Sequence, residues 1–209
     1  MAVANSAPRT RPARPRTLAA ALRAGYTPGM PDMLVKLYDL PDDAAARARV
    51  AEAGVVVRRA MPYDAARLVA WIRAKFSEGW SGEAAAALAQ TPTRAFVALD
   101  DGRLCGFVVY DATARGMLGP MGVEAADRGK GIGAALLHAA LRQMRADGYA
   151  YAVIGLVGPA DFYALHANAV VIPASEPGLY ADFIRTPERD ATSDAHPDTH
   201  PDAGRGPVP

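Results

Sequence analysis

The sequence predicts a single α/β (α+β) domain, in which a mixed, mostly antiparallel sheet carries helices on both faces. Two apolar runs flank the turn dipeptide Asp101-Gly102, which is the pattern of a β-hairpin. A glycine-rich turn at residues 128–133 leads into a run with helical apolar spacing. A strand–helix–strand pattern then fills residues 150–172. Antiparallel strands followed by a helical crossover give the mixed sheet.

The composition predicts one ordered domain over residues 32–185. The chain has 209 residues, of which 51% are hydrophobic, enough for one sizeable core. Residues 1–31 are rich in arginine and proline and contain no acidic residue, so we expect a disordered arm. Residues 186–209 are acidic and also lack apolar periodicity, so we expect a disordered tail.

Charge and cysteine content exclude several classes of protein. Net charge is +1, and without its two ends the chain is near neutral, which argues against nucleic acid as a partner. Cys105 is the only cysteine, so the chain has no intrachain disulfide, and we expect no metal site. No apolar run approaches the roughly 18 residues that span a membrane. Neither a membrane partner nor a signal peptide is expected, and the predicted location is cytoplasmic.

The first half of the domain is predicted to hold two strands and two helices. Strands are expected over residues 33–40 and 54–60, which are apolar and β-branched. A helix over residues 64–76 repeats apolar residues every four positions, with Asp64 as its N-cap. A second helix is expected to begin at Ser81 and to end before Pro92.

The second half is predicted to begin with three strands and a helix. The hairpin strands cover residues 94–99 and 103–110, and another strand covers about 114–123. That strand reads MLGPMGV, and glycine and proline inside a strand indicate a bulge. The helix after the glycine turn has apolar residues at helical spacing and ends near Gly148.

A strand–helix–strand unit completes the domain. The continuous apolar run at 150–157 predicts a strand buried on both faces. A short helix follows at 159–167, with Asn168 in the left-handed position after it. The last strand covers residues 169–172.

The glycine turn, RGKGIG, is a candidate binding site for a diphosphate. Glycines let backbone N–H groups turn towards an anion, and the helix N-terminus adds partial positive charge. Arg128 and Lys130 add full charges. A Walker A loop is excluded because Gly131 follows Lys130 where serine or threonine is required. A dinucleotide fold fits poorly because the turn follows an antiparallel hairpin.

These motifs resemble those of the GCN5-related N-acetyltransferase (GNAT) family. The stretch GVEAADRGKGIGAALLHAAL (122–141) is similar to the family's acyl-CoA motif, and AYAVIGLVGPADFYAL (150–165) to its next strand and helix. One departure is Asn168, where the family usually has glycine. The stretches FSEGWSGE, YDAT and SEPGLY also resemble a subgroup of the family, without indicating an acceptor.

The resemblance implies acetyl transfer from acetyl-CoA to a primary amine of a small molecule or peptide, by direct attack. It assigns cofactor binding to Arg128, Gly129, Lys130, Gly131, Ile132 and Gly133. It also assigns a backbone donor for the thioester oxygen to Met121, Gly122 or Val123. Tyr163 matches the family's acid for the leaving thiolate.

The base that deprotonates the amine is open between three carboxylates. These are Glu124 after the fifth strand, Asp111 in the hairpin region and Glu83 after Trp80. Trp80 and Phe76 are candidates for stacking on a substrate, although packing in the core is the commoner role of such residues.

Two further functions compete with the enzyme. One is a catalytically inactive module that senses acyl-CoA, which the lack of an obvious base keeps open. The other is a nucleic-acid partner acting through the arginine arm, which the near-neutral middle of the chain argues against. The resemblance also allows a homodimer.

Overall fold

The computed structural model describes residues 30–182. The predicted arm falls outside these residues except for its last two positions, and the predicted tail falls entirely outside them. No helix within the described range is long and apolar enough to cross a membrane.

Within residues 30–182 the chain forms seven strands and five α-helices. The strands are β1 (Met33–Lys36), β2 (Val55–Arg59), β3 (Ala95–Asp100), β4 (Arg103–Tyr110), β5 (Met117–Val123), β6 (Tyr151–Ile154) and β7 (Val170–Val171). The helices are α1 (Ala44–Glu52), α2 (Ala65–Lys75), α3 (Glu78–Leu88), α4 (Ile132–Ala146) and α5 (Ala160–Ala167). A 3-10 turn at Gly178–Asp182 ends the described chain.

The strands form one mixed sheet in the order β2-β3-β4-β5-β6-β1-β7. All neighbours are antiparallel except β5 and β6, which are parallel. The parallel pair is connected through α4, the helical crossover that such a pair requires. This arrangement confirms the predicted mixed, mostly antiparallel sheet.

Helices cover both faces of the sheet, as predicted. On one face α1, α4 and α5 bury a core that includes Leu136, Leu141 and Tyr110. On the other, α2 packs through Leu68 and Ile72, and α3 through Ala84 and Leu88, against alternate residues of β3 and β4. Because successive side chains of a strand point to opposite faces, the sheet has two separate apolar surfaces.

Five local predictions differ from the structure. The strand expected over residues 33–40 ends at Lys36, and a 3-10 turn at Leu37–Asp39 follows it. Helix α1 was not predicted, because Val50 is its only buried residue and no apolar period marks it. Helix α3 begins at Glu78 rather than Ser81, capped by Ser77, whose Oγ accepts from Trp80 N at 3.1 Å.

The other two differences concern strand β6 and a helix cap. Strand β6 ends at Ile154, and Tyr151 is 46% exposed, so the strand is shorter and less buried than predicted. Asp64 precedes α2 but does not cap it. Its carboxylate accepts from Arg58 and from Met61 N instead.

The predicted bulge lies in β5. Val108 of β4 pairs with Met121, and Tyr110 pairs with Leu118, so one residue of β4 faces two residues of β5. Gly119 and Pro120 are the two residues that face Val109, and Gly119 has a φ of 126° that favours glycine.

Candidate functional site

The glycine loop lies at the N-terminus of α4, as predicted. Gly131 is the N-cap, with a left-handed φ of 83°, and Gly129 is also left-handed. A Cβ on Gly131 would lie 3.1 Å from Cδ of Arg49 on α1. Arg49 therefore lies beside the loop, a position that sequence spacing did not reveal.

Two of the cations at this end of the sheet are held by one buried carboxylate. Lys130 Nζ lies 2.7 Å from Asp127 Oδ1, and Arg103 NH1 lies 2.7 Å from Asp127 Oδ2. Hydrogen bonds from Arg103 and then Lys130 hold the pKa of Asp127 well below its usual range. Asp127 was not singled out from the sequence, although its spacing of three from Lys130 is a common ion-pair spacing.

Strand β5 has backbone N–H groups beside this loop that do not pair with β4. Glu124 N donates to Cys105 O of the neighbouring strand at 2.9 Å. In an antiparallel pair, only every second residue of a strand forms hydrogen bonds to that neighbour. The N–H groups of Met121 and Val123 therefore point away from β4, towards β6. Arg128 Nε, at 3.4 Å, approaches the Val123 carbonyl on that same edge.

Strands β5 and β6 separate next to these groups. Their pairing covers only Met117 with Val153 and Leu118 with Ile154. Beyond Ile154 the chain leaves the sheet, because Leu156 has a φ of 45° and donates its N–H to Asp32. Within residues 30–182, no strand therefore pairs with residues 119–123 on the side that faces β6.

Helix α5 packs against the same opening. A Cβ on Gly133 would lie 3.4 Å from the Phe162 ring and 3.8 Å from Val123. Phe162 and Tyr163 are edge-to-face with centroids 5.1 Å apart, and Tyr163 is 8% exposed. The structure therefore brings together the loop, the β5 edge and the helix that carries Tyr163.

Two of the candidate bases are occupied by structural contacts. Glu124 forms an ion pair with Lys75 at 3.1 Å. Asp111 accepts from Gly116 N at 2.8 Å and from Tyr149 Oη at 2.9 Å, and it closes the β4–β5 turn. Asp111 lies at the opposite end of β5 from the glycine loop, so the structure does not bring it to that loop.

Glu83 has a different environment. Its side chain is half-buried, and burial raises the pKa of its carboxyl above the ordinary glutamate value. Thr113 donates a hydrogen bond to Glu83 Oε1. Tyr180 lies near both, and burial together with the charge of Glu83 raises the pKa of Tyr180 to about 12.

The aromatic candidates pack in the second core. Phe76 and Trp80 are stacked with centroids 5.3 Å apart, and Phe76 meets Phe107 edge-to-face. A Cβ on Gly122 would lie 2.6 Å from the Phe76 ring. The Phe76 ring therefore packs on β5 and the Trp80 ring packs on Phe76 and Phe107, which is the structural role expected of most such residues.

The fold thus places a glycine-rich helix N-terminus, which can bind an anion, beside a gap between two parting strands. Residues 65–167 match the acetyltransferase (GNAT) family, and this part of the chain belongs to that family. None of the curated proteins compared with the chain matches it.

Solved structures share the fold. One is described as a GCN5-related glucosamine N-acetyltransferase region in a fungal multi-domain GH3 β-N-acetylglucosaminidase. It is 17% identical with a TM-score of 0.58, over 68% of this chain and 19% of that one. A Drosophila protein is 16% identical with a TM-score of 0.51, over 68% of this chain and 47% of that one.

A GNAT family acetyltransferase from Brucella melitensis, solved in complex with acetyl-CoA, is 26% identical. The match covers 57% of this chain and 89% of that one, with a TM-score of 0.43.

Proposed function

We propose that this domain transfers an acetyl group from acetyl-CoA to a primary amine of a small molecule or peptide, by direct attack of the amine on the thioester. The observation that carries the proposal is the opening between β5 and β6, directly beside the glycine loop. An extended thioester arm fits such an opening while its diphosphate binds at the loop.

The loop supplies the diphosphate site. Unbonded N–H groups in the first turn of α4 and the helix dipole favour an anion. Arg128, Lys130 and Arg49 surround the loop with positive charge. Glycine at 129 and 131 supports the left-handed turns that direct the N–H groups outward.

The β5 edge stabilises the developing oxyanion. The N–H groups of Met121 and Val123 point into the opening, where the thioester carbonyl would lie. A fixed backbone donor at that place lowers the barrier, since it needs no reorganisation as charge develops on the oxygen.

Tyr163 protonates the leaving group. The amine nitrogen forms the C–N bond, the tetrahedral intermediate collapses, and the C–S bond breaks. The thiolate takes the proton of the Tyr163 phenol, which then recovers a proton lost by the nitrogen. The packing of Phe162, the neighbour of Tyr163 on α5, against Gly133 at the start of α4 supports this role.

Steady-state kinetics with the variant Tyr163→Phe test this proposal. Direct attack predicts intersecting initial-rate lines for acetyl-CoA and amine, whereas a covalent enzyme intermediate gives parallel lines. Tyr163→Phe is expected to lower kcat by about 10²-fold or more. The control is Tyr63→Phe, since Tyr63 is 74% exposed on the surface. Parallel lines, or an unchanged kcat in Tyr163→Phe, would contradict the mechanism.

A panel of amines is tested for use as acetyl acceptors, and it begins with amino sugars. The fungal structure that shares the fold is described as a glucosamine N-acetyltransferase region. Polyamines, aminoglycosides and peptide N-termini complete the panel. The acetylated product is identified by mass.

A further inference from the structure

Three stretches of the sequence have no role in the acetyl transfer as proposed above. They are FSEGWSGE (76–83), YDAT (110–113) and SEPGLY (175–180). They lie on α3, after β4 and after β7, far apart in the chain. The structure brings together their last residues, Glu83, Thr113 and Tyr180.

Thr113 connects the other two side chains. Its hydroxyl donates to Glu83 Oε1, and a hydrogen bond with Tyr180 joins the third residue. The negative charge of Glu83 lies close enough to Tyr180 to raise the pKa of the phenol. One carboxylate and two hydroxyl groups thus form a compact polar cluster.

This cluster lies at the closed end of the β5–β6 opening. Gly155 directly follows Ile154, whose partner Leu118 is the last paired residue of β5. A Cβ on Gly155 would lie 2.7 Å from Tyr180 Oη, so the tyrosine packs on the backbone where the strands part. The thioester end of an arm in the opening would point towards this place.

The environment of Glu83 suits proton abstraction. Burial raises the pKa of its carboxyl, which makes its carboxylate a stronger base near neutral pH. Thr113 donates to Oε1, and no cation of the described residues pairs with the Glu83 carboxylate. One oxygen is therefore oriented, and the carboxylate charge is available to an incoming ammonium group.

The other two candidate bases, Glu124 and Asp111, are held by contacts of a kind that Glu83 lacks. Glu124 is paired with Lys75, and Asp111 is bonded to Gly116 and Tyr149. A carboxylate held by a cation has its charge already neutralised, and one that closes a turn cannot reorient without breaking it.

We propose that Glu83 is the residue that takes the proton from the acceptor amine, with Thr113 and Tyr180 as positioning residues. The inference rests on the proposed acetyl transfer. The incoming ammonium gives one proton to Glu83 Oε2 and becomes the neutral nucleophile. Glu83 then returns that proton to water, so each turnover releases one proton.

The test compares Glu83→Gln with Glu78→Gln. Both lie on α3, but Glu78 is 71% exposed and pairs only with Arg73 among the described residues. Glu83→Gln is expected to lower kcat/KM for an alkylamine by about 10²- to 10⁴-fold. The thermal shift caused by acetyl-CoA is expected to stay at the parent value. Glu78→Gln is expected to resemble the parent in both measurements.

A weakly basic amine sharpens the test. Such an amine is already neutral at pH 7 and needs no base before it attacks, so the loss in Glu83→Gln should shrink with it. Thr113→Val gives a second readout, because the threonine hydrogen bond lowers the pKa of Glu83. Removing it is expected to move the acid limb of kcat/KM to higher pH.

The outcomes separate the two proposals. Equal turnover in Glu83→Gln and the parent, or the same loss with both amines, would overturn the role of Glu83 and leave acetyl transfer standing. A parent protein that acetylates no amine in the panel would contradict both the role of Glu83 and the proposed function.

Discussion

Asp127 illustrates how one buried side chain organises the cations beside the glycine loop. Its side chain is 3% exposed, and it bonds both Arg103 and Lys130. A buried carboxylate without partners would be costly, so the two cations and Asp127 stabilise one another. The hydrogen bond to Asp127 also raises the pKa of Lys130.

The variant Asp127→Asn is expected to lower the free energy of unfolding at pH 7. The pKa of Asp127 is lowered in the folded state, so its stabilising effect is full above the unfolded value of about 4 and is lost as pH falls. We expect a loss of about 1–3 kcal/mol at pH 7 that shrinks below about pH 4. Denaturant unfolding at both pH values measures it.

Asp100→Asn is the matched control, because Asp100 also bonds Arg103 but is 38% exposed. Its effect should be smaller, since exposed ion pairs contribute little. Equal losses in the two variants, or a loss in Asp127→Asn that grows in acid, would contradict this interpretation.

At the scale of elements, the segment at residues 172–182 is tied to the start of the sheet by Asp32. Asp32 N donates to Ser175 Oγ at 2.8 Å, and Asp32 O accepts from Ile172 N at 2.8 Å. Its carboxylate accepts from Leu156 N at 3.1 Å. One residue thus joins β1, the turn after β6 and the segment that carries Tyr180.

Asp32→Ala is therefore expected to weaken the use of the amine acceptor more than the binding of acetyl-CoA. Loss of the carboxylate removes its hydrogen bond to Leu156 N and so frees the turn after β6, where Tyr180 packs on Gly155. We expect KM for the amine to rise about 3- to 10-fold, the equivalent of one lost hydrogen bond. The thermal shift with acetyl-CoA should not change.

Asp39→Ala serves as the control, because Asp39 is an exposed acid at the other end of β1. An equal rise in the amine KM of Asp39→Ala, or a loss of acetyl-CoA binding in Asp32→Ala, would show that Asp32 does not act through the acceptor side.

An element can be predicted from the sequence when the residues that determine it lie close together in the chain. The bulge in β5 was predictable because glycine and proline are adjacent within a strand. Helix α1 was not, because it is built on alanine propensity with one buried residue. Strand β6 was predicted too long because the contact that bends the chain at Leu156 comes from Asp32, 124 residues earlier.

The same distinction applies to the site. The glycine loop is contiguous in sequence, so its place at the start of α4 was predictable. The cluster of Glu83, Thr113 and Tyr180 depends on tertiary packing of three distant segments. The sequence marked each stretch separately but could not show that their last residues meet.

For the whole molecule, the sheet separates the two sides of the proposed reaction. The glycine loop, α4 and α5 lie on one face, while α3 with Glu83 packs on the other. The β5–β6 opening is where groups from both faces can meet. The thioester donor and the amine acceptor would thus approach the reacting carbon from opposite faces of the sheet.

Amine-dependent release of thiol from acetyl-CoA is the measurement that tests this account most directly. It is made across the amine panel, together with thermal unfolding in the presence and absence of acetyl-CoA. The account predicts that acetyl-CoA raises the unfolding temperature and that at least one primary amine gives turnover. Unchanged unfolding with acetyl-CoA, and no thiol released with any amine, would contradict it.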